Sequence, residues 1–158
     1  MARQLAICAL LCCFLPMQVF AAAAMRITSI DDFNLGSWGI GDPAISEYSD
    51  ICIYGLNIPA LTSYAITISS TPSGYRLQSG ANFIAYGLHW EDNVLGGLGT
   101  QLTDGVKLDG QTNLNILSQT CAIGGPNARL TIQITQAEMT AALAGTYAGV
   151  ITLLLSPD

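Results

Sequence analysis

The last strand-like stretch of the chain occupies residues 150–155 and has the sequence VITLLL. Apolar side chains stand at both odd and even positions, so both faces of an extended strand would be apolar. A strand that is buried on both faces belongs at the centre of a sheet, yet only Ser156, Pro157 and Asp158 follow it. Either earlier strands flank it on both sides, or one side is an open groove that a strand from another polypeptide fills.

Short strand-like runs recur through the rest of the chain, and Gly, Pro, Asn and Asp separate them. In residues 129–136, RLTIQITQ, apolar and polar side chains alternate, as in a strand with one buried face. Residues 135–138, TQAE, fit a capping box and predict one or two helical turns. The pattern predicts strands at residues 26–30, 33–38, 50–54, 63–70, 75–78, 83–91, 106–108, 112–117, 129–136 and 147–156. So many short strands predict an all-β, antiparallel two-sheet sandwich.

The composition excludes two broad classes of protein. Of the 158 residues, 51% are hydrophobic and only 10% are charged, which excludes intrinsic disorder. Five Lys and Arg stand against eleven Asp and Glu, and no basic run occurs. The chain therefore lacks the cationic surface that binding to nucleic acid requires.

The N-terminus reads as a secretory signal peptide, residues 1–24. One cation, Arg3, precedes an apolar run at residues 5–20, and four alanines follow at residues 21–24. A membrane anchor is the alternative, but Pro16 and Gln18 interrupt the apolar run and leave it too short to span a bilayer. We expect cleavage after one of residues 22–24, and a single domain over residues 25–158.

Two cysteines lie outside the predicted signal peptide, Cys52 and Cys121. In an oxidising compartment an isolated pair most economically forms one disulfide, which we therefore predict. Two free thiols are the alternative. The pair lacks the C-x-x-C spacing of redox and zinc sites.

The chain offers little for catalysis. His89 is its only histidine, and its position within a strand predicts an outward-facing surface residue. Glu91 and Asp92 follow it, and we expect them to cap a turn. We predict no enzymatic activity, no metal site and no cofactor. The aromatic side chains are expected in the core, and a sugar-binding patch is the alternative.

Residues 142–158 have the sequence ALAGTYAGVITLLLSPD, and this run resembles the C-terminal motif of secreted spore-coat-protein-U-type domains. That family comprises the subunits of archaic chaperone-usher pili. Further similar runs are FNLG at residues 33–36, GYRL at 74–77, IAYGLHWED at 84–92, and GGPNA at 124–128 after Cys121.

The resemblance implies an immunoglobulin-like, pilin-type sandwich that lacks its final strand and is exported through the periplasm of a Gram-negative bacterium to the fimbrial surface. The implied partners are a periplasmic pilus chaperone, an outer-membrane usher and other pilus subunits. A chaperone or a neighbouring subunit donates the missing strand. The resemblance also implies a terminal carboxylate that is anchored by basic chaperone residues. The implied acceptor-groove residues are Tyr147, Val150, Ile151, Leu153, Leu154, Leu155 and Asp158.

One feature departs from the family pattern. Subunits that donate a strand carry an extension with alternating apolar residues, whereas only residues 25–32 stand between the predicted cleavage site and Phe33. The chain is therefore expected to accept a strand without donating one, as a structural or minor tip or cap component with a role in adhesion and biofilm. The alternative is a self-complemented, lectin-like secreted module that does not polymerise.

Overall fold

The computed structural model of the protein describes residues 24–56 and 63–158. Residues 1–23 of the predicted signal peptide lie outside this part, and the first strand begins at Ala24, so the signal peptide stays a prediction. The elements are β1 (Ala24–Thr28), β2 (Ile45–Leu56), β3 (Tyr64–Thr71), β4 (Arg76–Ser79), β5 (Asn82–Ala85), β6 (Gly87–Glu91), β7 (Thr100–Gln101), β8 (Lys107–Gln111), β9 (Ala128–Ile134), α1 (Gln136–Ala141) and β10 (Val150–Pro157).

Two antiparallel sheets pack face to face, as the alternating sequence pattern predicts. The larger sheet has the strand order β1-β2-β9-β6-β7, and the smaller has the order β10-β3-β8. β4 and β5 form a separate hairpin. One apolar core lies between the sheets, and it includes Ile51, Ile53, Ile66, Ile68, Leu88, Trp90, Leu130, Ile132 and Ile134.

β9 shows how the pattern positions the core. Leu130, Ile132 and Ile134 are buried, whereas Arg129 and Gln133 on the opposite face are only partly buried. The strand lies between β2 and β6, at the centre of the larger sheet. Its inward residues therefore form part of the floor of the core.

The predicted helical turns after β9 are confirmed as α1. The Oγ1 atom of Thr135 accepts a hydrogen bond from the N–H of Glu138 at 3.2 Å, which caps the helix N-terminus. The helix runs for 6 residues and leads to the segment that precedes β10.

The strand predicted at residues 33–38 is wrong. The Oδ1 atom of Asn34 accepts the N–H of Gly36 at 3.1 Å, and Gly36 has a φ of 70°, in the left-handed region. Within the described residues, this segment has no strand beside it. An extended run without a ladder partner does not form a strand.

The strand predicted at residues 112–117 is also wrong. Asn115 makes one isolated bridge with Tyr54, and its side-chain oxygen accepts the N–H groups of Leu117 and Ser118. This local hydrogen bonding turns the chain. In addition, β2 begins earlier than predicted, residues 83–91 form two strands that break at Tyr86, and the pattern missed β7.

The predicted disulfide is confirmed, since Cys52 and Cys121 are bonded with a Cα–Cα distance of 5.7 Å. It holds the loop before β9 against β2. A buried amide strengthens the same junction, because Asn127 accepts the N–H of Ile53 at 2.8 Å and donates to its carbonyl at 3.0 Å. The side chain of Asn127 thus makes the two hydrogen bonds that a backbone unit would make there.

Removal of the disulfide should lower the free energy of unfolding. For a sequence separation of 69 residues, the chain-entropy estimate gives about 4 kcal/mol for Cys52→Ala combined with Cys121→Ala. Urea denaturation without reductant measures the difference. Equal stability of the two proteins under these oxidising conditions would contradict the expectation.

Candidate acceptor groove

β10 is an edge strand of the smaller sheet, with β3 on one side. Within the described residues, no strand pairs with its other edge. The described residues therefore do not support the interpretation in which earlier strands flank β10 on both sides. The edge leaves backbone N–H and C=O groups available to an additional strand.

The register identifies which backbone groups are available. The N–H of Asp158 donates to the carbonyl of Ser63. The backbone N–H and C=O groups of the even-numbered residues of β10 therefore point towards β3. Backbone polar groups of successive residues in a strand point to opposite edges. The open edge of β10 therefore presents the N–H and C=O groups of Ile151, Leu153 and Leu155.

The side chains of β10 also alternate. Ile151, Leu153 and Leu155 are partly buried and pack against the core, whereas Val150 and Leu154 are 61% and 62% exposed. The inward side chains are less buried than those of β9, although the two strands carry similar residue types. No strand of the described ranges covers these side chains on the open side of β10.

Residues 29–36 run along the far side of this open space. Ser29 has a φ of 61°, which turns the chain away from β2 directly after β1 ends. The N–H of Asp31 donates to the Oγ of Ser49 at 3.3 Å. Beyond it, Phe33 and Leu35 are partly buried and contact the core. This segment and β10 form the two walls of a groove, which we call the acceptor groove.

Two adjoining cavities of about 730 Å³ and about 690 Å³ occupy the acceptor groove. Leu35, Leu77 and Tyr147 line both, so the groove is continuous. The floor of the larger cavity is built from core side chains of the opposite sheet, Ile51, Leu130 and Ile132, together with Tyr86.

Tyr86 is the polar member of this floor. Burial raises the pKa of its phenol, so the side chain stays neutral at physiological pH. Its ring stacks on that of Tyr75 with a centroid distance of 5.7 Å. The floor therefore offers an apolar, uncharged surface to an occupant.

The groove brings together most of the residues that the resemblance implied. Tyr147, Val150, Ile151 and Leu153 line the larger cavity, and the hydroxyl of Tyr147 donates to the carbonyl of Leu143 at 2.9 Å. Leu155 continues the inward row of β10, and Leu154 lies on its outer face. That these residues bind a partner stays a prediction.

Asp158 does not join this group. Its carboxylate accepts the Nζ of Lys107 at 2.9 Å and the N–H of Gly110 at 2.7 Å, at β8, on the other side of β3 from the open edge. The Gly110 N–H, followed by Lys107, holds the pKa of Asp158 below its usual value. Anchoring of the terminal carboxylate by a partner's basic residues stays a prediction, and in this structure the Asp158 side chain already has partners within the chain.

Several groove residues were missed by sequence reasoning. Leu77 of the β4–β5 hairpin, Ile84 and Met139 of α1 all line the acceptor groove. Of these residues, Met139 could have been found from the local sequence, because it is an apolar residue in a short capped helix. The others depend on how the hairpin folds against the sandwich, which no local pattern encodes.

Asp92, one of the remaining candidates, has structural partners. The carboxylate of Asp92 accepts the hydroxyl of Tyr64 and the N–H groups of Thr112 and Asn113, a capping arrangement of the kind expected. His89 is partly buried on the outer side of β6. In residues 24–56 and 63–158, no cluster of three His, Cys, Asp or Glu side chains is placed to hold a metal ion. The same residues contain no helix with the length and apolarity to cross a bilayer.

No protein-family model matches the chain, and no curated protein matches it. A chain from the solved structure "Chaperone-tip adhesin complex is vital for synergistic activation of CFA/I fimbriae biogenesis" is similar, with a TM-score of 0.60 and 19% identity. The match covers 85% of this chain and 41% of that chain, so the protein spans about two-fifths of its neighbour's length. The likeness shows the fold. The predicted all-β, immunoglobulin-like sandwich of the pilin type is thereby confirmed.

The inward row of β10 should not tolerate charge. Leu153→Asp should lower the free energy of unfolding by about 2–3 kcal/mol, because an ionised carboxylate would face the apolar floor. The neighbouring Thr152→Asp places the same charge on the exposed face and should change stability by about 0.5 kcal/mol or less. Urea denaturation compares the two variants. Equal destabilisation would contradict the assigned faces of β10.

Proposed function

We propose that the protein is a subunit of a chaperone-usher pilus that accepts a donated β-strand in the acceptor groove. The observation that carries the proposal is the free edge of β10 beside a continuous cavity floored by core residues. A strand placed there would extend the ladder at Ile151, Leu153 and Leu155 and would bury apolar surface that is now open. A soluble chaperone would supply this strand first, and a neighbouring subunit would supply it in the fibre.

The resemblance to spore-coat-protein-U-type domains supports the same proposal. The run at residues 142–158 that carries the resemblance forms one wall of the acceptor groove. The second run, FNLG at residues 33–36, lies on the opposite wall. The two matching segments therefore meet at one site, although they are distant in sequence.

The proposal includes a minor or terminal place in the fibre, with a role in adhesion and biofilm. Residues 24–28 pair with β2 of the same chain through the register Ala24↔Leu56 to Thr28↔Cys52. A segment that is held in its own sheet is not available to fill a neighbour's groove. A subunit that accepts without donating would suit a tip or a cap, and its chaperone and usher would be the partners of its assembly.

The self-complemented, lectin-like module is the alternative. It requires a strand of the chain's own to lie in the acceptor groove. Within residues 24–56 and 63–158 no strand does so, and this favours acceptance from a partner.

Complementation should determine whether the protein is soluble and stable. Expressed alone in the periplasm, the chain should aggregate or be degraded, because the open edge has unpaired backbone groups and the cavity floor is apolar. Co-expression with a cognate pilus chaperone should give a one-to-one complex that resists urea better than the chain alone, as measured by size-exclusion chromatography and denaturation.

The variant Leu153→Asp provides the control within the groove, and Thr152→Asp provides the matched control outside it. The chaperone should capture the Thr152 variant and should fail to capture the Leu153 variant. A stable, monodisperse monomer without any partner would reject the proposal and would favour the self-complemented module.

A further inference from the structure

Two carboxylates along the acceptor groove, those of Asp31 and Asp32, have no compensating partner among the described residues. Most carboxylates of the protein accept backbone N–H groups or pair with Lys or Arg, as Asp50 does with Arg129 and Asp109 with Lys107. Within residues 24–56 and 63–158, Asp31 and Asp32 have no hydrogen-bond or ion-pair partner for their carboxylates. Both are exposed, and both line the larger cavity of the groove.

In the described part of the chain, no Lys or Arg forms an ion pair with Asp31 or Asp32. Among the described residues that line the two cavities, none is Lys or Arg. Two adjacent like charges repel each other, and the apolar floor beside them solvates charge poorly. The wall formed by residues 29–36 therefore presents negative charge to whatever enters the groove.

The opposite wall is apolar on its outer side. Val150 and Leu154 of β10 are 61% and 62% exposed, and both point away from the core. A strand that pairs with the open edge of β10 has its own outward side chains beside these two residues, since side chains on one face of neighbouring strands lie about 5 Å apart. Its outward side chains would thus lie between Val150 and Leu154 on one side and the segment that carries Asp31 and Asp32 on the other.

We propose that the occupant of the acceptor groove is an extended segment of a partner chain with Lys or Arg at its outward-facing positions. The inference rests on the proposed function, because it concerns the strand that this function requires. A long cationic side chain suits both walls, since its aliphatic stem would cover Val150 or Leu154 while its charged head would pair with Asp31 or Asp32. An outward Glu or Asp would meet like charge in the same position.

Two synthetic peptides test this chemistry against the full chain, which is refolded from urea in the presence of each peptide because the uncomplemented chain is expected to aggregate. They share the same alternating apolar residues at inward positions and differ only at the outward positions, which carry Lys in one peptide and Glu in the other. At low salt, the Lys peptide should bind about tenfold more tightly, as expected for two exposed ion pairs. High salt should reduce the difference, because it screens exposed charges. Fluorescence anisotropy with labelled peptides measures both affinities.

Variants of the acidic wall locate the effect. Asp32→Asn should reduce the preference for the Lys peptide, and Asp31→Asn with Asp32→Asn should abolish it. Asp109→Asn is the matched control, because it removes one negative charge from β8 and none from the groove wall. It should leave the preference for the Lys peptide unchanged. The salt dependence of the peptide preference can also be measured with the chain that carries no substitution. This measurement does not require any variant to fold.

The outcomes separate the two proposals. If both peptides bind with equal affinity at low salt, the inference about basic partners is overturned while strand acceptance stands. If neither peptide binds, strand acceptance fails and the inference fails with it. The third outcome is that the Lys peptide is preferred but Asp109→Asn removes the preference as fully as the Asp31 and Asp32 variants do. The overall charge of the chain is then responsible, and not the groove wall, and this result also overturns the inference.

Discussion

The unpaired edge of β10 is the constraint on which the rest of the structure depends. A strand that carries apolar side chains on both faces normally lies between two neighbours, which satisfy its backbone groups and cover its side chains. In the part of the chain that the structure describes, β3 provides this on one side only. The partial burial of Ile151, Leu153 and Leu155, the continuous cavity and the irregular course of residues 29–36 all follow from this open side. A strand in that position would complete the smaller sheet.

Much of the fold could be predicted from local sequence because alternation is a local property. The pattern of residues 129–136 identified β9 and its buried face, and TQAE at residues 135–138 identified α1. The pairing of Cys52 with Cys121 followed from the count of cysteines outside the predicted signal peptide. Each of these inferences needs only neighbouring residues or a count, and no knowledge of how distant elements pack.

The rest depended on contacts that the sequence does not display. Residues 33–38 have the composition of a strand, but a strand needs a ladder partner, and none lies beside them in the described part of the chain. Prediction of the acceptor groove was limited in the same way, because part of it depends on contacts between distant segments. Its β10 wall was recognisable from residues 147–155, whereas Leu77 and Met139 enter it only because the hairpin and α1 fold against the sandwich. The side chain of Asp158 reaches Lys107 and Gly110 at β8, a contact that no local pattern displays, and its anchoring by a partner stays a prediction.

The disulfide has a mechanical consequence for the empty groove. Cys52 directly follows Ile51, a residue of the groove floor, on the same strand. The covalent link to Cys121 and the buried amide of Asn127 hold this end of β2 in place whether or not the groove is filled. A receptor surface that is already rigid loses less conformational entropy when it captures its ligand. Under the proposed function, thiol oxidation would thus prepare the chain for strand capture by fixing part of the groove floor in advance.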